Sequence, residues 1–204
     1  MPEAAVDWGS VGPLCLTSLA IMGSPGPATL SLVASASAYG VRGSIPYAAG
    51  IAAGTMLVLL AVASGITAAL LAIPALGSVL VALSAAYIVW LAYRVATAPP
   101  LSAQTGAAIA PSLAGGTFLG VANPKAWVAI AAVFASTHLD DAATSDALAK
   151  TAVLTAMIVV IMAGWLAAGA ALAPMFRQPR RARMVNVTLA LALVVTTGLA
   201  VVHP

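Results

Sequence analysis

The sequence predicts an all-α integral membrane protein with six transmembrane helices, the first and fourth each broken near the middle. Three observations predict it. Of 204 residues, 62% are hydrophobic and only 6% charged, and the mean hydropathy is +1.08. A soluble domain carries roughly a quarter charged residues, so the surplus apolar surface is left to lipid. The charges cut the chain into apolar blocks long enough for six crossings at about 20 residues each. Two of those blocks are interrupted, by Ser24-Pro25-Gly26-Pro27 and by Asn123-Pro124-Lys125.

The blocks place the spans in order. Trp8 to Val41 holds no Asp, Glu, Lys or Arg and is divided by the first break. Gly43 to Tyr93 is 51 residues without formal charge, too long for one crossing, and Pro74 with Gly77 supplies a turn within it. Spans are expected at 11–36, 45–70 and 76–97. A stretch with Pro99, Pro100, Ser102, Pro111 and Ser112 reads as a loop over 98–112, and the second half gives spans at 113–136, 150–172 and 184–202. The whole is one membrane domain, 1–204, in which two three-helix halves, 1–97 and 113–204, flank a cytoplasmic loop. A basic leader is not expected, because Glu3 and Asp7 are the charges ahead of the first span.

The loop charges choose an orientation. Arg42, Arg94, Arg177, Arg180, Arg181 and Arg183 follow spans one, three and five, whereas Glu3, Asp7, Asp140, Asp141 and Asp146 sit at the N-terminus or between spans four and five. Basic residues collect in cytoplasmic loops, so both termini are expected outside. Spans one to three then begin outside and spans four to six inside, the geometry of an inverted 3+3 repeat. Both breaks fall near mid-depth at 1.5 Å per residue.

In hydrocarbon an unpaired backbone group costs several kcal/mol, so irregular backbone persists only where it is buried in protein or lines a cavity. Paired interruptions in two halves point to a transporter binding site. At the first break each proline removes a backbone donor and Gly26 adds freedom between them. The freed carbonyls can hold a cation, and the start of the following half-helix can face an anion. A packing kink satisfied by neighbouring helices is the plainer reading. At the second break Lys125 is the one formal charge well inside an expected span, at a cost of about 2.5–3.5 kcal/mol. Its candidate partners are the first-break carbonyls, water or an anionic substrate; snorkelling to the cytoplasmic surface is the alternative. Ser24, Pro25, Gly26, Pro27, Asn123, Pro124 and Lys125 are therefore the candidate substrate-binding residues.

Gly43, Gly50 and Gly54 are candidate helix-packing positions, with Gly50 and Gly54 in GxxxG spacing, for contacts within the chain or across a homodimer. Tyr47, Tyr87, Trp90, Trp127 and Trp165 read as interfacial anchors or core, and one of them could face a substrate ammonium. The Arg177 to Arg183 cluster reads as a topology signal against anionic lipid, and Asp140, Asp141 and Asp146 as a solvated outer loop. His138 and His203 are too far apart in sequence to suggest a metal site. Cys15 alone excludes an internal disulfide. With no nucleotide-binding loop, nucleophile elbow or metal-ligand spacing, neither an enzyme nor a cofactor is expected, and nucleic acid is not an expected partner.

At these residues the chain resembles the LysE/RhtB-type amino-acid exporter family. Ser24-Pro25-Gly26-Pro27 through Gly40, Arg42, Gly43, Gly50 and Gly54 looks like the opening signature of that family. Ala85-Ala86-Tyr87 with Trp90-Leu91 looks like the end of its third span, and Asn123-Pro124-Lys125 matches its second-half motif. The resemblance implies an exporter of small amino acids or related metabolites in the bacterial cytoplasmic (inner) membrane, driven by the proton gradient. Many members carry an acid in a later span, whereas Val153 to Pro174 has none. A dibasic substrate would lack a charge partner at the midplane, so neutral amino acids or acidic derivatives are expected over lysine or arginine. The competing expectations are an ion or metal exporter, or a non-transporting membrane assembly factor on the same fold.

Overall fold

The computed structural model describes residues 7–65, 74–97, 111–172 and 179–202. Most of the expected 98–112 loop, the end of the second expected span, Glu3, Arg177 and His203 lie outside them. Seven helices follow in order within the described residues: α1 Trp8–Ile21, α2 Pro27–Ala63, α3 Pro74–Ala96, α4 Leu113–Ala122, α5 Pro124–Ala135, α6 Ala143–Leu172 and α7 Pro179–Val202. Among the described residues there is no strand. By length and apolarity α2 and α6 each suffice to cross a bilayer, and α4 with α5, bent by 60°, makes a third such span.

Local chemistry sets the ends. Asp7 caps α1, its Oδ1 accepting from the Gly9 N–H at 2.9 Å and its Oδ2 from the Ser10 hydroxyl at 2.6 Å, a common N-cap solution for orphan donors. Pro27 and Pro124 occupy first-turn positions of α2 and α5, where a missing N–H costs nothing. Ser112 caps α4 through the Gly115 N–H at 3.1 Å.

A straight 37-residue helix would be about 55 Å long, but α2 is not straight. Gly40 has φ 76° and ψ 163°, a region open essentially to glycine alone. Across it the Ser35 and Ser44 hydroxyls bond at 2.8 Å, and the Tyr47 hydroxyl donates to Ser31 at 3.0 Å. Residues nine and sixteen apart on one rod would stand roughly 14 and 24 Å apart. The chain therefore doubles back, and arms 27–39 and 41–63 lie antiparallel. The sequence placed the end of one span at 36 and the start of the next at 45; one glycine makes the turn instead, and helix runs up to it on both sides.

The first arm is the central rod. From Gly26 to Ala38 every residue is buried except Leu30, and its run of Ala and Ser keeps neighbours close. Buried hydroxyls there find carbonyl partners: Ser31 donates to that of Ala28 on its own helix at 2.7 Å and Ser37 to that of Gly169 on α6 at 3.1 Å. The largest contact surfaces join α2 to α4 and to α6, with α3 against α7. Leu57, Leu60, Val128, Val159, Val160 and Leu191 point outward, an apolar exterior of the kind that meets lipid or a partner.

Two expectations need correction here. Helix α6 begins at Ala143, two turns before the expected 150, and draws Asp146 and Lys150 into it. Asp146 is not a solvated loop residue: it is buried and pairs with buried Lys150 at 2.7 Å. The i,i+4 spacing puts the two on one helix face, and burial demands that each charge be matched. Gly43, expected among the helix-packing positions, is an exposed residue of α2.

Candidate functional site

The two breaks meet. Residues 22–26 interrupt the path from α1 to α2, and Asn123 alone separates α4 from α5. Half-helices of 14 and 10 residues lead into the breaks, or roughly 21 and 15 Å. The Asn123 side chain accepts from the Lys125 N–H at 3.2 Å and caps α5. This turn aims the lysine across the gap. Its ammonium donates to the Ser24 carbonyl, a short contact, and to the Pro25 carbonyl at 3.3 Å. Each carbonyl lies in the non-helical connection between α1 and α2, and a charge-assisted bond is roughly twice as strong as a neutral one.

Each first-break residue has a separate part. Ser24 contributes its carbonyl; its hydroxyl is spent on the Ile21 carbonyl at 2.8 Å. Pro25 contributes a carbonyl and Pro27 the first turn of α2. Gly26 has extended backbone, φ −165° and ψ 179°, so its importance is not torsional. A Cβ there would stand 2.8 Å from Lys125 Cδ and 3.1 Å from Nζ, and it is the missing Cβ that admits the lysine. Thr29 holds Gly26 in place, its hydroxyl accepting from the Gly26 N–H at 2.9 Å and donating to the Gly26 carbonyl at 3.1 Å.

Two tryptophans that sequence reasoning read as interfacial anchors or core serve the breaks. The Trp165 indole on α6 donates to the Gly23 carbonyl at 3.1 Å, and the Trp127 indole on α5 to that of Val121 at 2.8 Å. Each thus satisfies a carbonyl exposed where a helix stops. Nothing in the sequence spacing singles out this pairing.

Between the breaks lies a cavity of about 40 Å³, with Met22, Thr29, Thr55, Asn123, Ile158 and Met162 on its walls. At roughly 10–15 Å³ per water, it holds a few waters, and an amino acid needs the surrounding helices to part. Lys125 supplies the charge; among the described residues no group of three His, Cys, Asp or Glu side chains forms a metal-binding cluster.

Gly50 and Gly54 lie against α4. A Cβ on Gly50 would run into the Leu113 carbonyl, and one on Gly54 would reach 3.0 Å from Gly120 Cα. Gly116 and Gly120 return the contact from α4 against Gly50 and Gly54, so these helices touch backbone to backbone.

No curated protein and no solved structure matches the chain. A family model described as LysE type translocator matches residues 19–203. That match takes in both breaks, the α2 turn and nearly all of the chain, and the protein accordingly belongs to the LysE type translocator family.

Proposed function

We propose that the protein is a secondary exporter that moves small amino acids or related metabolites out across the bacterial cytoplasmic membrane, driven by the proton gradient. The observation that carries this reading is the contact of Lys125 with the Ser24 and Pro25 carbonyls, which joins two broken helices beside a small cavity. Six crossings follow: α1 with the first arm of α2, its second arm, α3, α4 with α5, α6, and α7. The two halves then run in opposite directions, with both termini outside, and alternating access rocks one against the other around the breaks.

The site chemistry favours a zwitterion. A carboxylate can approach Lys125 and the half-helix starts, and an α-ammonium can take the break carbonyls. The described cavity wall offers aliphatic and hydroxyl side chains beyond that, which suits a small neutral side chain. No carboxylate stands there to pair a second cation, so lysine and arginine are disfavoured. Export of a bare cation is less favourable, because the carbonyls that would hold it already hold an ammonium.

Efflux tests the reading. Cells lacking their own exporters and fed dipeptides accumulate internal amino acids; expression of the protein is expected to raise efflux, and Lys125→Ala or Pro25→Ala to abolish the gain. Unchanged efflux in every variant would point to a non-transporting assembly role, and a marked preference for arginine in proteoliposomes would refute the substrate class.

A further inference from the structure

Proton-driven exchange requires a group that binds a proton and can be reached from each side in turn. The acids of the chain are Glu3, Asp7, Asp140, Asp141 and Asp146, and its histidines His138 and His203; none lies in the half-helices that meet at the breaks. Asp146 is committed to Lys150 on α6, and stands twelve residues before Ile158 on the cavity wall, roughly 18 Å along the axis. The elements packed around Lys125 present Met22 at the end of α1, Thr29 and Thr55 from the two arms of α2, and Ile158 and Met162 from α6. Tyr47, on the second arm of α2, donates to Ser31 and does not line the cavity. On the described wall of this cavity Lys125 is the titratable side chain.

The acceptors it uses are also those that a substrate needs. A lysine ammonium and an α-ammonium are the same head group, with three N–H donors and no acceptor. The Ser24 and Pro25 carbonyls both accept from the same Nζ, which the missing Cβ of Gly26 admits. Resting on the exporter reading above, we propose that Lys125 is the proton carrier: its ammonium and the α-ammonium of the substrate compete for the Ser24 and Pro25 carbonyls, so that substrate takes its seat as Lys125 gives up a proton.

The step balances. With the site open to the inside, a zwitterion enters and its ammonium takes the carbonyls. One N–H bond of Lys125 breaks, the electron pair stays on Nζ, and the proton passes to water on the inner side. The neutral amine keeps two N–H donors for the substrate carboxylate. With the site open to the outside, the zwitterion leaves, a hydronium gives its proton to Nζ, and the ammonium returns to the carbonyls, the arrangement described here. Each turn exports one zwitterion and brings in one proton, with one positive charge moving inward.

Proteoliposomes carrying the full chain test this with leucine as the probe. Wild type is expected to exchange internal for external leucine without any ion gradient, and to accumulate leucine uphill when a pH gradient is imposed. Lys125→Arg, a side chain that does not deprotonate in proteins, is expected to hold its charge on the carbonyls at every pH and to lose pH-driven accumulation. Accumulation by Lys125→Arg equal to wild type would overturn the proposal. Should that variant fail to exchange, proton release by the wild type decides: release on adding leucine, and none on adding N-acetylleucine, which lacks the ammonium, supports it, and equal behaviour of the two overturns it. Wild-type exchange that ignores pH gradients keeps the exporter and removes the proton carrier, whereas no leucine movement in any assay removes both.

Discussion

Lys150 and Asp146 stand one turn apart on α6 with Nζ and Oδ2 at 2.7 Å, both buried. Their bond reaches beyond the helix. Asp146 Oδ1 accepts from the Leu139 N–H at 2.6 Å, and the Leu139 carbonyl accepts from the Asp7 N–H at 2.7 Å. The Lys150 ammonium also lies 5.0 Å from the centre of the Phe134 ring, within cation–π range. Removing one partner of a buried pair costs about 3–5 kcal/mol, whereas replacing both with apolar residues is often neutral. Asp146→Asn and Lys150→Met are each expected to lower the unfolding midpoint in detergent, and the pair Asp146→Leu with Lys150→Met to recover most of the loss. A double variant as damaged as the sum of the singles would contradict this.

The glycines of α2 should separate into two kinds. Gly50→Leu pushes a side chain into the α4 backbone and is expected to cost about 1–3 kcal/mol or more. Gly40→Ala is expected to cost roughly 1–3 kcal/mol from backbone strain alone, because a Cβ there meets nothing within 4 Å. Gly43→Ala, on an exposed helical position, is expected to be neutral or to stabilise by about 0.5–1 kcal/mol. Thermal unfolding of the three variants in one detergent checks the order.

At the first break, backbone and side chain can be told apart. Ser24→Ala leaves the carbonyl that Lys125 uses and removes a hydroxyl bonded elsewhere, so transport is expected to stay near wild type. Gly26→Val puts atoms where Lys125 Cδ and Nζ lie and is expected to abolish transport while the protein still folds. Efflux and melting temperature measured together decide; loss of transport in Ser24→Ala would show that the hydroxyl has a part of its own.

The Ser10 hydroxyl and the Gly9 N–H hold the exposed Asp7 carboxyl below the usual carboxylate range. A group so depressed on folding adds stability above its unfolded value, about 3.9, and loses it as pH falls through the lower folded value. The first turn of α1 is therefore expected to open in acid, below about pH 4. Hydrogen exchange of the amides following Asp7 should rise there, and Ser10→Ala should move the rise to higher pH.

The breaks were legible because proline and glycine cannot be disguised in an apolar helix, and because one lysine in hydrocarbon demands a partner. Which partner was not legible: the Ser24 and Pro25 carbonyls lie about a hundred residues away, and carbonyls leave no mark in a sequence. The turn at Gly40 was blurred because Arg42 and Gly43 beside it suggest a longer loop, and nothing in the sequence marks which glycine turns the chain. Asp146 misled for the opposite reason: beside Asp140, Asp141 and Ser145 it reads as loop, and the partners that hold it, Lys150 and the Leu139 N–H, meet it only once the chain is folded. Trp127 and Trp165 carry ordinary signals for anchors, and their indole bonds depend on where other helices stop.

Helix α6 is tied down at two distant points: by Asp146 to the strap of chain at Leu139, and by the Trp165 indole to the Gly23 carbonyl. Gly23 immediately precedes Ser24, whose carbonyl holds Lys125. A lengthwise slip of α6 would tug one tether at each end, so a pull at Leu139 would reach the residue next to the carbonyl that holds Lys125.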